Sequence, residues 1–223
     1  MTAVATEDVG ALAEGMIRVG KRAVKFQLYL LRRAWGVYYA VWALAFFFFT
    51  FLPPILVFIL PNMANNPVTY YVGYALVGCM AGYATFINFE KVYKTVKLKT
   101  TLELKRSNFY RRLFGVLFGV GYLLLFTSSF YFFGFRGIST AYIALLLVPA
   151  WILYALRRSF DTIPLEGLLA AASYVASVLL STYFFLRGDY LPIYVAWSAT
   201  TFIWAFSAFY ALYSAPEMLV NED

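Results

Sequence analysis

The segment EKVYKTVKLKTTLELKRSNFYRR, residues 90–112, decides how the rest of the chain is interpreted. It carries eight of the chain's 18 Lys and Arg residues. Almost purely apolar runs lie on either side of it, at residues 70–89 and 113–133. Cationic loops between membrane spans are retained on the cytoplasmic side. The segment therefore predicts a membrane hairpin whose basic loop lies on the cytoplasmic face.

The composition of the whole chain also indicates a membrane location. Hydrophobic residues make up 63% of the 223 residues and charged residues 13%, whereas soluble domains have about 45–50% and about 25%. One core cannot hide so much apolar surface, so the surplus must face lipid. The net charge of +7 comes largely from cations at the ends of apolar runs, where they meet anionic head groups. This distribution favours anionic lipid at the cytoplasmic face and argues against nucleic acid as a partner.

Six apolar runs are long enough to cross about 30 Å of hydrocarbon as helices. They lie at residues 34–60, 70–89, 113–133, 138–156, 167–186 and 191–213. Pro53 and Pro54 interrupt the first run, so we expect a kink or an early end of the helix there. The runs lack the alternating polarity of an outer-membrane barrel. We therefore predict an all-α, polytopic membrane protein: a single domain, residues 34–213, that is a six-helix transmembrane bundle, followed by a tail at 214–223.

The first 33 residues form a segment of a different kind. On a helix, Arg18, Lys21, Arg22 and Lys25 group on one side of residues 15–33, and apolar side chains fill most of the rest. This pattern predicts an N-terminal amphipathic interfacial helix that lies in the head-group layer. The alternative is a plain N-terminal extension of the first spanning helix.

The distribution of cations predicts the orientation of the bundle. With the N-terminus inside, 16 of the 18 Lys and Arg residues lie on the inner side, and only Arg136 and Arg187 lie outside. This asymmetry predicts a multi-pass protein of the cell membrane with a cytoplasmic N-terminus and a cytoplasmic C-terminus.

Several chemical activities are excluded by what the sequence lacks. There is no His, which excludes His-ligated metals and His general-base chemistry. Cys79 is the single Cys and lies in an apolar run, so we expect it to be buried and inert. No phosphate-binding Gly-rich loop and no closely paired carboxylates occur. We therefore expect neither an enzyme nor a cofactor or metal site.

Small and hydroxyl-bearing residues recur along several runs. Two Gly-x-x-x-Gly pairs, Gly78 with Gly82 and Gly115 with Gly119, predict close helix packing on the two helices beside the basic loop. In the fifth run Ser173, Ser177 and Ser181 lie along one stripe. The stripe has two interpretations: the lining of a translocation path, or a tight helix–helix seam with serine cross-bonds. Hydrogen bonds from hydroxyl groups between membrane helices are common, so the seam is the favoured interpretation.

The order of these features resembles the membrane subunits of ABC exporters of the ABC-2 type. The matching features are the amphipathic entry helix at 15–33, the six spans, and a prominent inner loop from Lys97 to Arg112 that would correspond to a coupling helix. The resemblance implies a permease subunit of a transporter that is powered by a separate ATPase. The alternative is a non-catalytic structural or assembly subunit of a larger membrane complex.

The basic loop is the predicted contact for such a partner or for lipid. Its candidate residues are Lys97, Lys99, Lys105, Arg106, Arg111 and Arg112. Their charge fits either anionic head groups or an acidic groove on a partner, and the partner would be an ATPase subunit or a second copy of the chain.

Overall fold

The structure is a computed structural model that describes residues 3–59, 67–96, 145–160 and 162–220. These residues form helices α1 (Ala3–Ile59), α2 (Pro67–Val96), α3 (Leu147–Phe160), α4 (Leu165–Arg187), α5 (Leu191–Ser214) and the short α6 (Glu217–Val220). No strand occurs within the described ranges. The predicted all-α class is therefore confirmed for this part of the chain.

Three of the helical stretches are long and apolar enough to cross a membrane. They are Gly15–Leu52, Leu165–Arg187 and Leu191–Leu219. Their length and composition support a membrane protein. The predicted third span and the start of the fourth lie outside the described residues, so the number of six spans stays a prediction.

Helix α1 joins two segments that the sequence analysis treats separately. The amphipathic stretch at 15–33 and the first apolar run form one continuous helix, which is the geometry of the alternative interpretation, an N-terminal extension of the first span. The helix also continues past Pro53 and Pro54 to Ile59, so the two prolines do not end it. Membrane helices tolerate proline where neighbouring groups satisfy the freed carbonyls.

Helix α1 is the centre of the described bundle. It packs against α2, α5 and α6, while α4 packs against α3 and α5. The buried core is rich in aromatic residues from α1 and small residues from α4 and α5. Its members are Trp35, Tyr38, Tyr39, Ala43, Phe46, Ile152, Leu156, Ala170, Tyr174, Val178, Trp204, Ala208 and Ala211.

A tight turn sets α4 and α5 side by side. Gly188 follows α4 with φ 76° and ψ 14°, a left-handed conformation that favours glycine. Its N–H donates to Phe185 O, and the N–H of Asp189 donates to Phe184 O, each at 3.1 Å. These two bonds satisfy carbonyls at the end of α4 and reverse the chain. The α4–α5 hairpin then places the start of α4 beside the end of α5.

Candidate functional site

One buried ion pair joins three helices at one end of the bundle. Arg32 Nη2 of α1 lies 2.8 Å from Glu166 Oε1 of α4, and the two side chains are only 12% and 4% exposed. Arg32 Nε donates a second hydrogen bond, 2.9 Å long, to Ser214 Oγ of α5. Ser214 Oγ in turn donates to Tyr210 O at 2.8 Å. The guanidinium therefore ties α1 to both helices of the α4–α5 hairpin.

The ion pair acts mainly as a constraint on the arrangement of these helices. Moving two charges out of water costs several kcal/mol for each ion, and only good geometry with further hydrogen bonds offsets that cost. Arg32 meets this requirement through its bonds to Glu166 and Ser214. An arrangement of α1 that separated the two charges would leave a buried carboxylate without its cation. Such an arrangement is strongly disfavoured.

The local sequence places the carboxylate at the positive end of α4. Pro164 precedes the helix with an extended backbone, φ −61° and ψ 146°, and Glu166 lies in the first turn. The unpaired N–H groups of a first turn favour a negative charge there. The backbone oxygen of Glu166 is also used, because Ser207 Oγ of α5 donates to it at 3.1 Å.

Gly167 lets α1 and α3 approach the start of α4. A Cβ at this position would collide with Leu156 Cδ1 of α3 and would lie 2.9 Å from Tyr39 Oη of α1. Any larger residue at 167 would therefore push both neighbours away from the ion pair. The phenol of Tyr39 is buried, and its Oη has no hydrogen-bond partner within the described structure.

Aromatic rings fill the space next to the ion pair. Trp204 of α5 packs edge to face against Tyr39 at 5.7 Å and against Phe46 at 4.9 Å, measured between ring centroids. Its indole N–H donates to Ala170 O of α4 at 2.9 Å. The Trp204 ring therefore joins α1, α4 and α5 about one helical turn from the Arg32–Glu166 ion pair. Such aromatic pairs contribute about 0.5–1.5 kcal/mol beyond the area that they bury.

Two serines of the α4 stripe, Ser177 and Ser181, face α5, whereas the hydroxyl of Ser173 donates within α4 to Ala170 O at 2.9 Å. Ser177 is buried, and its Oγ donates to Ala196 O at 2.9 Å and contacts Thr200 Oγ1. Thr200 Oγ1 also lies 3.1 Å from Ser173 O and can donate to it. One turn further along, Trp197 Nε1 donates to Ser181 Oγ at 2.9 Å. The hydroxyls of Ser177 and Ser181 are thus engaged in the contact between the two helices.

Among the described glycines, Gly36 and Gly73 have closer helix contacts than the predicted Gly78 and Gly82. A Cβ on Gly36 of α1 would lie 2.7 Å from Leu212 Cγ of α5, and one on Gly73 of α2 would lie 2.7 Å from Leu52 Cδ2 of α1. Gly78 is only in ordinary contact with Phe49. Nothing in the described part of the chain lies within 4 Å of a Cβ on Gly82.

Most of the remaining predicted site residues lie outside the part of the chain that the structure describes. Gly115 and Gly119 lie outside the described residues, as do the basic-loop candidates Lys97, Lys99, Lys105, Arg106, Arg111 and Arg112. At the start of that loop, Lys94 pairs with Glu90 at 3.0 Å between Nζ and Oε1. Cys79 is exposed, so the expectation that it is buried is wrong.

The Arg32–Glu166 pair is the part of the site that sequence reasoning missed. Arg32 lies near the end of the amphipathic segment 15–33, a pattern that predicts cations reaching toward lipid head groups. Glu166 stands at the end of an apolar run, where a solvated carboxylate is common. The available signal was that Glu166 lies two residues after Pro164, at a helix start. Pairing it with an arginine 134 positions earlier required knowledge of the tertiary packing.

Comparison with known proteins adds no further assignment. No protein family model matches this chain, and no curated protein or solved structure does. Within the described ranges, no group of three His, Cys, Asp or Glu residues could hold a metal ion. The candidate site is therefore the structural junction around Arg32 and Glu166 together with the adjacent α4–α5 seam.

Proposed function

We propose that this chain is a non-catalytic subunit of a larger membrane complex. The observation that carries the proposal is the engagement of Ser177 by Ala196 and Thr200 of α5. A translocation path lined by the α4 serines would need their hydroxyls to face water. Hydroxyls that bond across a helix contact serve packing instead, with about 0.6–2 kcal/mol for each bond.

The buried ion pair supports the same proposal. A permease must let helices move relative to one another, whereas Arg32 holds α1 against α4 and α5 together. The neighbouring Trp204 fills the space between these helices with tight aromatic contacts. A subunit that offers a fixed helical surface to its partners needs this kind of junction.

A second candidate is the permease subunit driven by a separate ATPase, with the ABC-2-like layout. The length of α1 favours it: at 57 residues the helix extends about 85 Å, far beyond about 30 Å of hydrocarbon. Movement of a partner bound to the exposed end would reach the bundle directly through Arg32. In both candidates the basic loop and the N-terminal cations would contact anionic lipid or a protein partner.

Two experiments test the proposal that the chain is a subunit of a membrane complex. They also distinguish its two versions, the non-catalytic subunit and the permease subunit. Purification of the tagged chain in a mild detergent, followed by mass spectrometry, is expected to recover partner proteins. Recovery of an ATPase would favour the permease. A chain that stays monomeric and brings down no partner would contradict both versions.

The second experiment examines the α4–α5 seam directly. In a Cys79→Ala background, Ser177→Cys is expected to resist a water-soluble thiol reagent, because position 177 is buried against α5. Met16→Cys is the positive control, since Met16 is 77% exposed. Ready labelling at position 177 would mean that water reaches the seam, and the permease would then be the better proposal.

A further inference from the structure

The N-terminal part of α1 extends beyond the bundle. All residues from 15 to 24 are exposed, whereas Arg32 and Ala34 are bonded to neighbouring helices through Glu166, Ser214 and Asn88. About 26 Å of helix separates Gly15 from Arg32 at 1.5 Å per residue. Residues 5–30 are called the α1 arm below.

The arm carries a regular apolar seam. Apolar residues recur at alternating intervals of four and three, namely Ala5, Val9, Leu12, Met16, Val19, Ala23, Phe26 and Leu30. This spacing gives the a and d positions of about four heptads, the pattern of a coiled coil. Met16, Val19 and Phe26 of this seam are 77%, 68% and 47% exposed. Within the described structure the seam is therefore uncovered from Met16 to Phe26, whereas Leu30, at its bundle end, is partly buried.

The charges of the arm lie away from the seam. With Met16 at position a, Arg18 and Lys25 fall at position c and Lys21 at f, on the outer side of a coiled coil. The e positions are Thr6, Ala13, Gly20 and Gln27, all of them uncharged. In a parallel pair of identical arms, Arg22 at g therefore faces an uncharged Gln27. No like charges meet across such a pair, although the arm is strongly basic.

We infer that the α1 arm forms a parallel coiled coil with the arm of a second copy of this chain. Two copies inserted in one membrane have the same orientation, so their arms leave the bilayer in parallel and in register. Arg33 occupies the next d position, and a pair of arginines there would repel, so the seam ends where the bundle begins.

The continuity of α1 favours this partner over the lipid surface. Membrane helices tilt by about 20° on average and by at most about 40°. An arm that continues a spanning helix without a break therefore rises away from the head groups instead of lying along them.

This inference rests on the proposed function, because it names one partner for the proposed complex. Disulfide trapping in membranes tests it. In the Cys79→Ala background, Met16→Cys at a and Val19→Cys at d are oxidised and compared with Lys21→Cys at f. Facing a or d residues come close enough for a disulfide, which needs Cα atoms about 4.4–6.8 Å apart. The f positions point outward.

The expected result is about five-fold more dimer on a non-reducing gel at positions 16 and 19 than at position 21. Equal trapping at all three positions, or most trapping at position 21, would overturn the inference. An arm bound to lipid or to a different protein would also give no preference for a and d positions, so either outcome counts against the pairing.

A second measurement uses the mass of the purified chain in detergent. Met16→Glu combined with Val19→Glu is expected to halve the protein mass measured by light scattering, while Lys21→Glu leaves it unchanged. An unchanged mass in the double variant would overturn the inference. Failure of the pairing can be distinguished from failure of the proposed function. If other proteins still co-purify with the double variant, the chain is still a subunit of a complex, and only its pairing with a second copy has been lost.

Discussion

At the scale of single residues, the junction at Arg32 shows how one buried charge can determine which helices are neighbours. The pair has the short distance and the extra hydrogen bond that a desolvated ion requires. The exposed Arg33 next to it makes no comparable demand on the fold. Adjacent arginines of the same sequence pattern thus have opposite roles, one structural and one solvated.

Replacing one partner of the pair tests this difference. Arg32→Met is expected to lower the free energy of unfolding by about 3–5 kcal/mol, because Glu166 is left buried without a cation. Arg33→Met, the matched control, should change it by no more than about 0.5 kcal/mol. Thermal unfolding in detergent, followed by circular dichroism, measures both.

The double variant Arg32→Met/Glu166→Leu gives the decisive comparison for the pair. It should recover most of the lost stability, because neither charge remains in the bundle. Equal losses in the single and double variants would mean that the two charges are not coupled. This result would remove the junction from the proposed site.

At the scale of secondary-structure elements, close approach at glycine sets the distance between α1 and α5. A Cβ on Gly36 would lie 2.7 Å from Leu212 Cγ and 3.2 Å from the backbone nitrogen of Leu212. The side chain could rotate, but the backbone could move only with its helix. The contact is tighter than the one at Gly78, which belongs to the Gly-x-x-x-Gly pattern that the sequence suggested.

Substitution of glycine by alanine distinguishes the two kinds of position. Gly36→Ala is expected to destabilise the protein by about 1–3 kcal/mol, because α5 must shift outward. Gly20→Ala in the exposed arm should instead stabilise its helix by about 0.5–1 kcal/mol, since alanine loses less backbone freedom. The thermal midpoint of each variant in the same detergent provides the measurement. A Gly36→Ala variant as stable as the parent would show that α1 and α5 are not closely packed there.

Helix positions were predictable from the sequence where the bilayer alone sets the helix length. The fifth and sixth apolar runs, 167–186 and 191–213, correspond to α4 (Leu165–Arg187) and α5 (Leu191–Ser214) within two residues at each end. Hydropathy does not predict the end of a helix that continues beyond the hydrocarbon layer. Helix α2 extends to Val96, and the polar turns past residue 89 are supported by the Glu90–Lys94 pair, which hydropathy does not register.

The candidate site was less predictable than the helices for a related reason. Sequence spacing identified the stripe of Ser173, Ser177 and Ser181 but could not tell which helix its hydroxyls contact. That choice depends on Thr200 and Trp197 of α5, whose side chains meet the stripe only in the folded hairpin. Pairing between distant residues, such as Arg32 with Glu166, is set by packing and leaves no local signal.

At the scale of the whole molecule, the ends of three helices define one pole of the bundle. Arg32 near the start of the bundled part of α1 is bonded to Ser214 at the end of α5 and to Glu166 at the start of α4. The turn at Gly188 and Asp189 lies at the other end of α4 and α5. If α5 spans the membrane, the α1 arm and Glu217 must emerge on one side and Asp189 on the other.

Cysteine labelling in intact cells tests this arrangement and the predicted cytoplasmic N-terminus together. In the Cys79→Ala background, an impermeant maleimide is expected to label Asp189→Cys, because the cation-rich pole is retained inside. Met16→Cys and Glu217→Cys should be labelled only after the membrane is permeabilised. All three positions are exposed in the folded chain, so protection reports the membrane and not burial. The reverse labelling pattern would mean that the bundle is inserted with its basic pole outside. Equal labelling of Asp189→Cys and Glu217→Cys in intact cells would contradict the prediction that α5 spans the membrane.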